Sequence, residues 1–167
     1  MQLVISRNVL LQAINLISKA ADKRHNMVIL GNMKLVLSET QLVMTASDLE
    51  VELQATINLP AGACQQPGHT TVPANKLKDI VKLLPDDLPV TISLTDDNHC
   101  LIVCGSSRFK LSTLPAEDFP RLGEPEQATP IQLHREQLTD LLDNTYFAMA
   151  VQDVRYYLTG MLFELKD

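Results

Sequence analysis

The sequence predicts an α+β fold, built from repeated strand–helix–strands units with two helices packed on antiparallel sheet. Three observations predict it. A helical apolar stripe, Leu10, Ile14 and Ile17 at i, i+4, i+7, follows a strand pattern at Leu3-Val4-Ile5 and precedes several alternating runs. The same succession returns after residue 70, with Leu77, Ile80, Val81 and Leu84 at i, i+3, i+4, i+7. The composition, 46% hydrophobic and 20% charged over 167 residues, suffices for one packed domain of usual size plus a remnant.

In the first unit the helix runs from about Asn8 to Ala20. Ala13 and Leu11 join its apolar side, and Gln12, Asn15 and Lys19 fall on another face. Alternating runs follow at Met33 to Leu37, Gln41 to Ala46 and Leu49 to Leu59, with turns at Gly31-Asn32 and Ser38-Glu39-Thr40. In the second unit Thr70-Thr71-Val72 leads to Pro73, which opens a helix that Pro85 stops. Strands follow at Val90–Leu94, Cys100–Cys104 and Arg108–Leu114, with a hairpin turn at Asp96-Asp97-Asn98.

A third unit begins after the Pro-, Glu- and Gly-bearing stretch from Pro115 to Pro130. Ile131-Gln132-Leu133 reads as a strand, and a helix from about Arg135 to Tyr146 turns Leu138, Leu141 and Leu142 inward. A last apolar strand runs from Leu158 to Leu165. The expected organisation is a complete domain at 1–122, a linker at 123–130 and the truncated start of a second domain at 131–167. One helix and two strands cannot bury their own apolar faces. The polypeptide therefore reads as a piece of a longer protein.

The net charge of −6 argues against general adhesion to nucleic acid, but its distribution is uneven. Residues 1–35 carry Arg7, Lys19, Lys23, Arg24 and Lys34 against Asp22 alone, while residues 36–75 carry four acids and no Lys or Arg. Lys76, Lys78 and Lys82 then arrive together, opposed by Asp79. The two helices, side by side, are expected to show a mildly cationic polar face, with Lys78 and Lys82 on the second. Such a face suits sequence-independent contact with phosphates and not base reading.

The loop Gln152-Asp153-Val154-Arg155-Tyr156-Tyr157-Leu158-Thr159-Gly160 stands out further. Gln, Arg and Tyr suit contact with phosphate or sugar, and adjacent tyrosines are unusual in a chain with three Tyr, four Phe and no Trp. On the local pattern alone, a loop-to-strand junction with one tyrosine packed inward and one outward is the simpler reading.

Catalytic chemistry is not expected. His25, His69, His99 and His134 stand in separate contexts, and no Gly-rich phosphate loop is present. Asp48, Glu50 and Glu52 alternate as if on one strand face, which suggests a metal less than an acidic outer surface. The three cysteines, Cys64, Cys100 and Cys104, read as buried reduced thiols, the last two sharing a strand face. No cofactor or metal is expected. No secretory signal and no apolar run of membrane length occur, so a cytoplasmic protein without membrane contact is expected.

Five segments in order carry a resemblance: Ile29-Leu30-Gly31-Asn32, Thr45-Ala46-Ser47-Asp48-Leu49-Glu50, Thr70-Thr71-Val72-Pro73-Ala74, Ser107 to Pro115 (SRFKLSTLP), and Gln152 to Leu158 (QDVRYYL). The chain resembles the N-terminal part of bacterial sliding clamps, the DNA polymerase III beta subunit. The resemblance implies the DNA clamp fold: a closed homodimeric ring with three similar domains per subunit, helices lining the hole and sheets forming the rim. It implies a processivity factor that encircles duplex DNA without reading sequence and tethers the replicative polymerase, with polymerase and clamp loader bound through the full-length protein.

Residue by residue, the resemblance places DNA contacts at Arg24 and at Gln152, Arg155, Tyr156 and Tyr157, to which the helix face adds Lys78 and Lys82. Arg24 as a free surface charge, and Arg155 paired with Asp153, are the alternatives. A subunit interface is implied at Arg108, Phe109 and Leu111, with Lys76, Asp79 and Ile80 nearby; a plain core strand would look the same at Leu111. Part of a partner-peptide pocket is implied at Leu158 and Gly160. Asn75 and Ser106 replace basic residues of the family pattern. A protein–protein interaction domain that never meets DNA is the alternative reading of the whole.

Overall fold

In the computed structural model, residues 1–21, 27–95, 97–123 and 130–165 are described. The chain divides into two compact units, Met1–Gly123 and a second from Glu124 onward.

Among its described residues the first unit holds nine strands in two antiparallel sheets. In chain order these are β1 (Gln2–Ser6), β2 (Asn32–Leu37), β3 (Gln41–Ser47), β4 (Glu52–Asn58), β5 (Cys64–Gln66), β6 (Gly68–Pro73), β7 (Pro89–Thr95), β8 (His99–Cys104) and β9 (Ser107–Ser112). Helix α1 (Arg7–Ile17) follows β1, and α2 (Ala74–Leu83) follows β6. One sheet has the order β5-β1-β7-β8-β9 and the other β4-β3-β2-β6.

The order reveals an exchange between the two repeats. Strand β1, which opens the first repeat, pairs with β7 of the second through Leu3↔Ile92 and Ile5↔Val90. Strand β6, which opens the second, pairs with β2 of the first through Met33↔Val72 and Leu35↔Thr70. Each repeat thus needs the other's leading strand to complete its sheet, and a single core results. That core is built from alternate strand residues, including Leu35, Leu37, Leu42, Met44, Ile92 and Ile102, closed by the helix stripes.

Helix α1 buries Leu10, Ala13, Ile14 and Ile17, the expected stripe, and a short 3₁₀ turn carries it on through Ala20. Helix α2 buries Ala74, Leu77 and Val81. It stops at Leu84, whose extended backbone (ψ 149°) is what a following proline favours. Helix α1 lies against β3 and β4, α2 lies against β2 and β6, and the two helices touch each other. Cys100 and Cys104 are buried on one face of β8 and unpaired, and burial pushes the Cys100 thiol up to about 12.

The structure corrects two readings of the sequence. The strand expected from Leu49 begins at Glu52, because residues 48–51 form the turn into it. There the Asp48 carboxylate accepts hydrogen bonds from the Val51 N–H (2.7 Å) and the Glu50 N–H (3.0 Å). Leu49 sits at φ +75°, a left-handed conformation uncommon for a side-chain-bearing residue. Asp48 is therefore a turn residue, not one of three carboxylates on a strand face. The Val51 and Glu50 N–H groups hold its carboxyl below the ordinary value.

The second correction concerns the second unit. Helix α3 (Arg135–Asp143) is present, but it buries no residue. Neither 131–133 nor 161–165 forms a strand. A strand requires a neighbour for its N–H and C=O groups, and no such neighbour lies beside these segments among the described residues. Leu138 and Leu141, expected to point inward, are accordingly exposed. The expected helix end at Tyr146 is instead a separate 3₁₀ turn, Tyr146–Ala148. Asp96 of the expected hairpin turn, and 124–129 of the expected linker, lie outside the described residues.

Candidate nucleic-acid interface

The apolar stripes of α1 and α2 face the core, so their other sides face outward by default. Gln12, Asn15 and Lys19 are exposed on α1 and its 3₁₀ extension, and Lys76 and Lys82 on α2. Leu16, 67% exposed, stands among the polar residues of α1. This wall is polar and mildly cationic, with Asp79 as an exposed acid within it.

Two ties between distant segments fix its geometry. Lys78 is half-buried, and its Nζ donates to Ser18 Oγ at 3.0 Å. Part of its hydrogen-bonding capacity is therefore used inside the protein. At the other end of α2, Arg7 donates from Nε to the Val81 carbonyl (3.0 Å) and from Nη2 to the Lys82 carbonyl (2.7 Å). Its Nη1 pairs with Asp86. A guanidinium is suited to this because its donors diverge in a fixed plane and its charge offsets the negative end of the helix dipole. The arginine side chain is 15% exposed; its bond to the Val81 carbonyl is partly buried, whereas the Lys82 carbonyl and Asp86 lie at the surface. The sequence reading counted Arg7 only as a charge. Its position, one residue after a strand and directly at a helix start, was the available signal.

Arg24 lies outside the described residues. The Gln152–Tyr157 loop lies in the second unit, where Gln152 takes φ +57°. Both tyrosines point outward: Tyr156 is 82% and Tyr157 67% exposed, their rings edge-to-face with centroids 5.9 Å apart. The junction with one tyrosine packed inward is not what forms. Arg155 does pair with Asp153, through Nε (3.0 Å) and Nη2 (2.9 Å). The pair raises the arginine's pKa and lowers the carboxyl's, and it leaves the loop with less net positive charge than its arginine alone suggests. The Leu158 carbonyl accepts from the Ala150 N–H at 3.0 Å and closes the loop.

Strand β9 is the edge of its sheet. Arg108 is exposed, Phe109 is half-buried against the core, and Lys110 is held by Asp97 at 2.6 Å. Leu111 is only 6% exposed and belongs to the core, so only its backbone lies on the edge. Asp79 is exposed and Ile80 half-buried on α2. Leu158 and Gly160 are exposed, and neither lines the hollow of about 450 Å³ formed by Leu133, Leu141 and Thr145.

Among the described residues no group of three or more His, Cys, Asp or Glu could hold a metal ion, and no helix is long and apolar enough to cross a membrane.

Comparison with known proteins matches residues 1–123 to the family described as DNA polymerase III beta subunit, N-terminal domain. The beta sliding clamp of Pseudomonas putida is 44% identical over 165 residues, covering 99% of this chain and 44% of that protein. The beta sliding clamp of Escherichia coli K12 is 40% identical over 164 residues, covering 98% and 44%. The chain thus spans less than half the length of these curated relatives. A crystal structure of a sliding clamp from Pseudomonas aeruginosa bound to griselimycin superposes at TM-score 0.90 and 43% identity, over 96% of this chain and 43% of that one. The beta sliding clamp of Caulobacter crescentus superposes at TM-score 0.90 with 34% identity, over 96% and 42%. The two antiparallel sheets, the paired helices and these likenesses together establish that the chain belongs to the sliding clamp family, the DNA polymerase III beta subunits.

Proposed function

We propose that this chain is the N-terminal region of a ring that encircles duplex DNA and tethers a replicative polymerase to it. On this reading 1–122 is the first clamp domain, 123–130 a linker and 131–167 the start of a second domain. The observation that carries the proposal is the wall of α1 and α2: two helices in contact whose apolar stripes face the core, leaving Gln12, Asn15, Lys19, Lys76 and Lys82 outward. A few ammonium groups spread over a polar surface attract phosphates without fixing a register, as sliding requires. Arg24, Lys78, Gln152, Arg155, Tyr156 and Tyr157 are proposed as further DNA contacts. Lys78 and Arg155 contribute least, because Ser18 and Asp153 already engage them.

The exposed edge of β9, with Arg108, Phe109 and the backbone of Leu111, is proposed to join a second subunit, with Lys76, Asp79 and Ile80 beside it. Leu158 and Gly160 are proposed to contribute to a pocket for linear motifs of polymerase and clamp loader. The protein works as a scaffold in the cytoplasm and not as an enzyme.

Those two internal ties also favour a second reading, an interaction domain whose cations serve its own structure. Duplex binding by this chain, measured by fluorescence anisotropy over a salt series, separates the two. The clamp reading predicts sequence-independent binding weaker than about 10⁻⁶ M, with log K falling as salt rises. Lys82→Ala lowers the slope by about one. An affinity independent of salt, or a base preference, overturns it.

A further inference from the structure

A groove of about 410 Å³ opens in the first unit, at the junction of β1, α1, the end of β4 and the turn before β7. None of Lys19, Lys76 and Lys82 lines it, and it carries three features of its own. Its walls are apolar and accessible: Val9 is 43% and Leu88 39% exposed, with Ile57 and Leu59 alongside.

Its floor is an incompletely paired strand. Strand β1 pairs with β5 only at Gln2 and Leu3, and the Val4 N–H donates to the Ala63 carbonyl at 2.8 Å. Beyond that point the neighbouring chain turns away at Gly62 (φ +81°). On the other side the register Leu3↔Ile92 and Ile5↔Val90, with the Met1 carbonyl accepting from Leu94, directs the backbone groups of residues 1, 3 and 5 toward β7. Alternation then turns the Val4 carbonyl and the Ser6 N–H toward the groove, and no strand lies opposite them among the described residues. The third feature is charge. Asp86 and Asp87 stand on the lip; Asp86 is held by Arg7, whereas Asp87 is exposed and in no ion pair among the described residues.

We propose that this groove seats an extended segment of a partner protein. The segment continues the β1 edge through the Val4 carbonyl and the Ser6 N–H, places alternate apolar side chains against Val9, Ile57 and Leu88, and sets a Lys or Arg beside Asp87. The acidic lip selects a basic segment, and the unpaired backbone edge selects an extended one.

The test is selection of random twelve-residue peptides displayed on phage against the full chain. Enriched sequences are expected to alternate apolar with polar residues and to carry Lys or Arg. A synthetic copy of the leading peptide should shift the Ser6 amide resonance. Its affinity should fall roughly tenfold or more in Val9→Glu and Leu88→Glu, and about threefold in Asp87→Asn at low salt. The substituted positions are surface-accessible, and amide spectra verify folding. Should either glutamate variant unfold, Asp87→Asn and the Ser6 shift decide alone. Absence of enrichment, selected peptides that bind the variants undiminished, or concentration-dependent self-association abolished by Val9→Glu (which would make the occupant a second copy) overturns the proposal.

Discussion

Helices α1 and α3 have similar sequences in the sense that matters to helix formation: each carries an apolar stripe with polar residues opposite. Their fates differ. Helix α1 buries four residues against β3 and β4, and α3 buries none. The difference lies in what surrounds them. In the first unit the strands β1 to β9 supply two sheets, closed by the exchange of β1 and β6, and these give the stripes somewhere to go. Around α3 the described residues supply no strand. Amphipathicity specifies a helix; burial, which stabilises it, is decided by partners distant in sequence.

The largest effect that could break this comparison is a cavity. Ile14→Ala, in the core under α1, should destabilise the first unit by about 2–5 kcal/mol in denaturant melts, whereas Leu141→Ala on α3 should cost less than about 0.5 kcal/mol. Equal losses would mean that α3 is packed as α1 is. Arg7→Ala should follow at about 1–3 kcal/mol, because it leaves the Val81 and Lys82 carbonyls without their donor and Asp86 without its partner. Arg7→Lys should recover only part of that, since an ammonium cannot reproduce the diverging fork.

Hydrogen exchange sharpens the same contrast without mutation. Amides of β2, β3, β7 and β8, interior to their sheets, should be the slowest, and those of α3 should exchange near the unprotected rate. Thiol reactivity gives a finer probe. Half-buried Cys64 should be modified first by a thiol reagent in the native state, with Cys100 and Cys104 protected until unfolding.

The smallest effect is acid dependence at Asp48. Its folded pKa is depressed, so its contribution is present above the ordinary value of 3.8 and disappears as pH falls through the folded value. The Tm of the parent should therefore drop relative to Asp48→Asn as pH is lowered below about 4. Parallel curves would show that the turn does not depend on the ionised carboxylate.

What was legible in the sequence follows from the range of the interactions involved. The stripes of α1 and α2, the strands from β6 to β9 and the hairpin glycine-free turn at Asp97-Asn98 are local patterns, and they stand where periodicity and turn chemistry place them. Strand β5 was missed because three residues between Gly62 and Pro67 carry too little alternation to read. The Asp48 turn was misread because alternating acids look alike whether they face solvent from a strand or bond their own backbone. The exchange of β1 and β6 was not legible, because pairing between units depends on contacts across the whole domain. At the candidate interface, the exposed faces of the helices were readable from their stripes. The partners of Lys78 and Arg7 were not, since Ser18 and the end of α2 lie about 60 and 75 residues away from them in sequence. The Arg155–Asp153 pair, two residues apart, was.

The most direct measurement uses a chimaera in which residues 1–165 replace the matching part of the Pseudomonas putida clamp. It is loaded onto nicked circular DNA with that organism's clamp loader and polymerase, beside a variant carrying Lys19→Glu and Lys82→Glu, the two wall cations outside the proposed subunit interface. The chimaera should stay on the circle and be lost once the circle is cut, and the double variant should load markedly less while its helices remain folded. Retention on DNA with free ends, or equal loading by the charge-reversed variant, would contradict it.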